Sequence, residues 1–205
     1  MTVSFTSGPT GRPSGPRRAP LLLAGLVVGL LVLAGAVAAL GGWLWWHWWA
    51  PAPHGAIYQD SSGRFGFFAT PLDPGQAHVA ASTLEYVAVG FGLALVLGAV
   101  MALLGRDRAL VTLVVALLAG CLGAYVMREV GLALSPPDPS HLADKAHLGQ
   151  KALASLSVDG WTPYLAWPAG TLLGFLAVML LISGDRRRDA SYVSTPVAGQ
   201  EQPIS

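Results

Sequence analysis

The stretch LLLAGLVVGLLVLAGAVAALGGWLWWHWW, residues 21–49, runs for 29 positions without one formal charge. About 20 consecutive apolar residues are enough for a helix to cross the hydrocarbon core of a bilayer. The surplus length predicts tilt or an interfacial extension. A cleaved secretory signal competes, with Arg17 and Arg18 as its charged start and Ala36-Val37-Ala38 as its small-residue cleavage site. A signal's apolar region is only about 7–15 residues long. This run is much longer, so it is expected to stay as a first membrane span.

The rest of the chain agrees with a lipid solvent. Charged residues make up 11% of the 205 and hydrophobic ones 53%. An average globular chain carries roughly 25% charged residues, and so little charge does not coat a water-soluble sphere. Three further apolar runs follow, at about residues 82–104, 109–134 and 164–183. Only Gly105-Arg106-Asp107-Arg108 separates the second from the third, which predicts an antiparallel helical hairpin. The fourth opens with Trp167-Pro168, and proline is tolerated in a first helical turn whose N–H groups lack acceptors anyway. The expected fold is therefore an all-α membrane protein of four transmembrane helices. A membrane domain over 21–184 would sit between polar, disordered tails at 1–20 and 185–205.

Orientation follows from the basic residues beside the spans. Arg17 and Arg18, Arg106 and Arg108, and Arg186 to Arg188 all fall on one side. The long connections, 50–81 and 135–163, carry only Arg64, Lys145 and Lys151. Both termini are thus expected in the cytoplasm of a cell-membrane protein, with two loops facing outward. Trp43, Trp45, Trp46, Trp48 and Trp49 cluster at the outer end of the first span, and Trp161 and Trp167 at the matching level of the fourth. Indole prefers the headgroup level, so these seven read as interfacial anchors.

The first outer loop breaks at Ala50-Pro51-Ala52-Pro53-His54-Gly55, where a helix cannot continue. Two apolar-aromatic runs, Ala56-Ile57-Tyr58-Gln59 and Arg64-Phe65-Gly66-Phe67-Phe68, then flank Asp60-Ser61-Ser62-Gly63. That arrangement predicts a β-hairpin. A lone hairpin is marginal in water and needs support. In the second outer loop, Ser140 is expected to cap a short helix running through Leu142, Ala146, Gly149 and Leu153.

Three ionisable residues fall inside spans: Glu85 in the second, Arg128 and Glu129 late in the third. A charge at a helix centre costs about 2.5–3.5 kcal/mol on insertion scales, so it pairs or faces water. A Glu85–Arg128 bridge across the hairpin is expected, with Glu129 as an alternative partner. The five histidines all lie on the outer side, but no His/Cys spacing suits a metal, and neither metal nor cofactor is implied. Cys121 lies in an apolar run, where it reads as a small buried residue. Gly25–Gly29 and Gly170–Gly174 offer close helix approach, within the chain or in a homo-oligomer. There is no nucleophile elbow, no phosphate-binding glycine loop and no basic face for nucleic acid.

Several of these features together resemble an uncharacterised actinobacterial family of four-helix integral membrane proteins, a domain of unknown function. They are Trp49-Ala50-Pro51-Ala52-Pro53-His54-Gly55 with the hairpin-like stretch after it, the short basic turn before span three, Arg128, and Trp167-Pro168. The resemblance covers about residues 21–184 and implies a cell-membrane location and an envelope-facing hairpin, but no activity. The more helical second outer loop departs from the family's pattern.

With no catalytic set in view, the expectation is a non-enzymatic scaffold or accessory subunit whose two outer loops meet a membrane or cell-envelope partner. A small oligomeric transporter or channel is the alternative, as is an outer-leaflet lipid-acting enzyme or sensor. Either would use Glu85, Arg128 and Glu129.

Overall fold

A computed structural model of the chain describes residues 18–193. The tail sequences at 1–17 and 194–205 lie outside the described residues. Four long helices, α1 (Arg18–Trp49), α2 (Leu72–Leu104), α3 (Ala109–Leu134) and α4 (Ala166–Val193), form a bundle. All four are long and apolar enough to cross a membrane. A small sheet of β1 (His54–Gln59), β2 (Phe65–Ala69) and β3 (Lys151–Leu153) closes one end.

Two helix boundaries differ from the hydropathy reading. The second helix starts ten residues before Ser82, at Leu72. Asp73 complements the positive end of its dipole and Pro74 falls in the first turn, where it costs no hydrogen bond. At the other end of the chain, α4 runs on through Arg186–Arg188 to Val193, so helix replaces part of the tail expected at 185–205.

The bundle is built on an inversion of the soluble rule. Its buried positions are mostly small, among them Ala34, Ala38, Ala94, Ala102, Ala116 and Ala119. Large residues such as Val32, Leu84, Val96, Leu110 and Leu181 point outward. Lipid tails are as apolar as leucine, so burial by itself draws no helices together in a bilayer. Close backbone approach does, through packing.

The clearest case is Trp167 of α4, which is fully buried. A Cβ at Gly90 of α2 would sit 2.6 Å from its Nε1, and one at Gly123 of α3 would sit 2.7 Å from its Cζ3. Gly41 of α1 leaves room for its Cζ2 at 3.5 Å. One indole thus occupies space that three helices vacate, and its N–H donates to Met127 Sδ at 3.1 Å.

Gly170 and Gly174 meet the α2 backbone: a Cβ at Gly170 would lie 2.8 Å from the Phe91 carbonyl oxygen, and one at Gly174 would strike that of Leu95. Gly25 and Gly29 have nothing within 4 Å. Of the two GxxxG patterns, one packs this bundle and the other faces outward.

The hairpin forms, with Ile57 opposite Phe67 and Gln59 opposite Phe65. Its turn is tied by Asp60, whose Oδ1 accepts from the Ser62 hydroxyl at 2.6 Å and from the Ser62 and Arg64 amides at 2.8 and 2.9 Å. Gly63 supplies the left-handed residue, at φ 85°. The Ser62 hydroxyl first, then the Arg64 amide, holds the Asp60 carboxyl below the usual range.

The second long connection, 135–163, differs from its expected helix. It forms two short 3-10 turns, Pro139–Leu142 and Lys145–His147, and then β3. Asp138 and Asp144 cap these turns through their carboxylates. Gly149, at φ 80°, reverses the chain so that Lys151–Leu153 pairs antiparallel with His54–Ala56. The two connections between the helices are therefore one sheet, in the order β2-β1-β3.

Candidate functional site at the sheet end of the bundle

Gly55 is where the sheet admits no side chain. A Cβ there would strike the Phe68 carbonyl oxygen and lie 2.5 Å from the Phe67 ring. Its neighbour His54 is exposed, and its carbonyl accepts the Thr70 amide at 2.8 Å. Both residues shape the cap.

Side chains from α1 lock it to the start of α2 just below the cap, and α2 in turn reaches the second connection. Trp49 and His78 exchange two hydrogen bonds: the Trp49 indole donates to the His78 carbonyl at 3.3 Å, and His78 Nε2 donates to the Trp49 carbonyl at 2.7 Å. The Trp45 indole donates to the Ser82 carbonyl at 2.8 Å. The Ser82 hydroxyl lies 2.8 Å from the Val79 carbonyl and 2.9 Å from that of Ser157, reaching the second connection.

These bonds overturn part of the aromatic-belt expectation. Trp45, Trp49 and Trp167 are fully buried in the protein, and Trp46 is partly buried against its core. Trp43, Trp48 and Trp161 are exposed, as a headgroup anchor requires. A hydropathy profile does not separate the two roles, because an indole at this level finds an apolar surrounding and a hydrogen-bond acceptor either way.

The charged trio is also arranged differently. Arg128 bonds its sequence neighbour Glu129, Nη1 to Oε1 at 2.5 Å, and no bridge links Glu85 to Arg128. The reason is rotational. Tyr86 faces α3 and donates its hydroxyl to the Ala124 carbonyl at 2.8 Å. One residue earlier on a helix of 3.6 residues per turn, Glu85 is swung about 100° away. It lies on the side of α2 that faces α1. There its Oε2 is enclosed and has no hydrogen-bond partner.

Two clefts lie beneath the cap, of about 320 and 380 Å³, sharing Asp138, Ser155, Leu156 and Ser157. Arg128 lines the larger, with Ser135 and Pro136. Their polar groups are largely committed: Ser135 Oγ accepts the Leu156 amide at 2.8 Å, Asp138 caps a turn, and Arg128 is paired. No nucleophile is set beside a base there.

The histidines do not converge. His47 stacks on Trp43 at 5.2 Å and His147 bonds Asp144 at 2.6 Å, which, through that bond first, lowers the Asp144 carboxyl below its usual range. His141 contacts the Asp138 carbonyl. Among the described residues no group of three His, Cys, Asp or Glu side chains is placed to hold a metal ion. Cys121 is exposed on the outside of the bundle, where a buried position was expected.

Sequence reasoning missed three working residues: His78, Ser82 and Ser157, which tie α1, α2 and the second connection together. The Trp49–His78 pair had one visible signal, a histidine placed at the apolar start of α2. Comparison with family models, with curated proteins and with solved structures gives no match.

Proposed function

We infer that the protein is a non-enzymatic scaffold or accessory subunit of the cell membrane, anchored by four spans and presenting a single outward-facing cap to a partner. The observation that carries this reading is the β1–β3 pairing. It joins the two connections into one sheet, with Tyr58 exposed on it, where each alone would be marginal in water. The cap is tied to α2 by the Ser82 hydroxyl, and α2 is locked to α1 by two indole bonds, which favours a rigid display surface. The packing of Trp167 against three glycines speaks against a polar path through one bundle, and with it against transport by a single chain. Membership of the actinobacterial family, cytoplasmic termini and an envelope-facing cap belong to the same proposal.

Cysteine labelling of intact cells, in a chain with Cys121→Ser, tests the orientation. A Ser62→Cys variant should react from outside and Asp107→Cys should not. The reverse pattern overturns it. Purification in mild detergent tests the role: a stoichiometric partner should accompany the native chain and be lost from a Tyr58→Glu variant of unchanged thermal stability. A partner-free chain, or one whose partner ignores the cap, removes the scaffold reading.

A further inference from the structure

An open groove of about 570 Å³ runs between α1 and α2, lined by Leu44, His47, Trp48, Ala88, Val89 and Gly92. Nothing lies within 4 Å of where a Cβ on Gly92 would be. Both helices are long and apolar enough to span, so the groove's surroundings are hydrocarbon. A groove this size on a lipid-facing side is filled by an acyl chain unless a protein covers it.

Glu85 decides which lipid. Residues 85, 88, 89 and 92 are spaced i, i+3, i+4 and i+7, so they share one face of α2. Glu85 stands on that face one turn nearer the sheet than Ala88 and Val89. Its Oε2 is enclosed and unbonded. No salt bridge within the described chain reaches it. His78, two turns further toward the sheet on the same face, has already given its Nε2–H to the Trp49 carbonyl. An enclosed polar atom without a partner is uncommon in a folded protein. A carboxylate at apolar depth is costly unless a cation joins it. Exposed Trp43 and Trp48 mark this end of α1 as the interfacial level, where headgroups lie.

We propose that this groove seats one chain of an amphiphile whose primary ammonium headgroup pairs with the Glu85 carboxylate. The inference rests on the membrane-spanning reading but not on the scaffold role. An ammonium brings one positive charge and three N–H donors to the Glu85 carboxylate, which offers only acceptors. A phosphate-only headgroup would meet a like charge there. A trimethylated one brings charge but no donor.

The test uses the full chain in vesicles of equimolar phosphatidylethanolamine, phosphatidylcholine and phosphatidylglycerol, re-extracted in mild detergent. Native mass spectrometry then counts the retained lipid. Phosphatidylethanolamine should be retained about tenfold over the other two, the selectivity of one charge-assisted hydrogen bond. Glu85→Gln should bring the three lipids level. Gly92→Phe, which has free space to enter, should lower retention of all three without lowering thermal stability. Stepwise N-methylation of the headgroup should weaken retention by the native chain step by step, a readout that needs no variant to fold. Equal retention by the native chain, a preference that survives Glu85→Gln, or indifference to N-methylation each overturns the proposal. So does crosslinking of a Gly92→Cys variant to a protein instead of a lipid. Loss of the chain from the membrane fraction would instead defeat the spanning reading on which the proposal stands.

Discussion

Trp167 and Trp161 lie six residues apart at the same end of α4, and only one of them is core. An interfacial belt would treat them alike. The structure buries Trp167 completely and leaves Trp161 71% exposed. Replacing Trp167 by alanine removes an indole held between Gly41, Gly90, Gly123 and Met127. In a membrane the unfolded reference is itself surrounded by lipid, so the transfer term that dominates in water largely drops out. What remains is the void. A residual cavity on the order of 100 Å³, at about 24 cal/mol per Å³, gives about 2.4 kcal/mol. The lost hydrogen bond to sulfur adds little. Trp161→Ala makes no such cavity and should stay within about 0.5 kcal/mol, as exposed substitutions do.

Reversible unfolding in mixed micelles, followed by far-UV circular dichroism as denaturing detergent is added, separates the two. Gly123→Ala supplies the converse perturbation. Its Cβ would meet the Trp167 ring and should cost about 1–3 kcal/mol by overpacking. In the Trp167→Ala background the same substitution should become nearly neutral, because the ring it strikes is gone. Equal costs for Trp167→Ala and Trp161→Ala, or additive costs for Gly123→Ala and Trp167→Ala, would refute the core assignment and restore the belt.

A double-mutant cycle should find coupling between Arg128 and Glu129 and none between Glu85 and Arg128, read as thermal stability in detergent. Coupling of the second pair would mean that α2 is rotated from the position described here. Gly174→Leu should destabilise strongly, because its side chain would strike the Leu95 carbonyl, whereas Gly25→Leu should leave the melting temperature unchanged. The hairpin turn should depend on pH through Asp60. Its folded pKa is depressed, so its contribution is complete above the unfolded value near 3.9 and is lost as pH falls through the folded value. Protection of the Ser62 and Arg64 amides from hydrogen exchange should hold from about pH 7 to 5 and decline below about pH 4. An Asp60→Asn variant should show no such decline.

The four long apolar helices were legible because hydropathy over twenty residues is a property of composition, and no packing detail alters it. The hairpin was legible because Asp60-Ser61-Ser62-Gly63 is local turn chemistry. β3 was hidden for the opposite reason. Lys151-Ala152-Leu153 is three residues long, and its partner lies nearly a hundred residues earlier, so no local pattern announces it. The facing of the charged trio was hidden too. Proximity along a helical hairpin placed Glu85 and Arg128 at one level, but level is not azimuth. Tyr86, bonded across to Ala124, shows which side of α2 meets α3, and Glu85 is not on it.

The same distinction governs how a sequence like this one is to be read for function. In water, apolar periodicity reveals the inward face of a helix, because the outward face must be polar. In lipid both faces are apolar, and the signal moves to residue size. Ala94, Gly98 and Ala102 mark the inner face of α2, while Leu84 and Val96 mark the outer. A polar residue on the small-residue stripe has neighbours in the bundle, as Ser82 and Thr171 do, and both are hydrogen-bonded. Glu85 lies off that stripe, beside Ala88 and Gly92, which line the open groove between α1 and α2. Small residues that leave a groove open, next to a carboxylate oxygen without a partner, are costly features for a bilayer to tolerate. They become economical together if a bound amphiphile completes both.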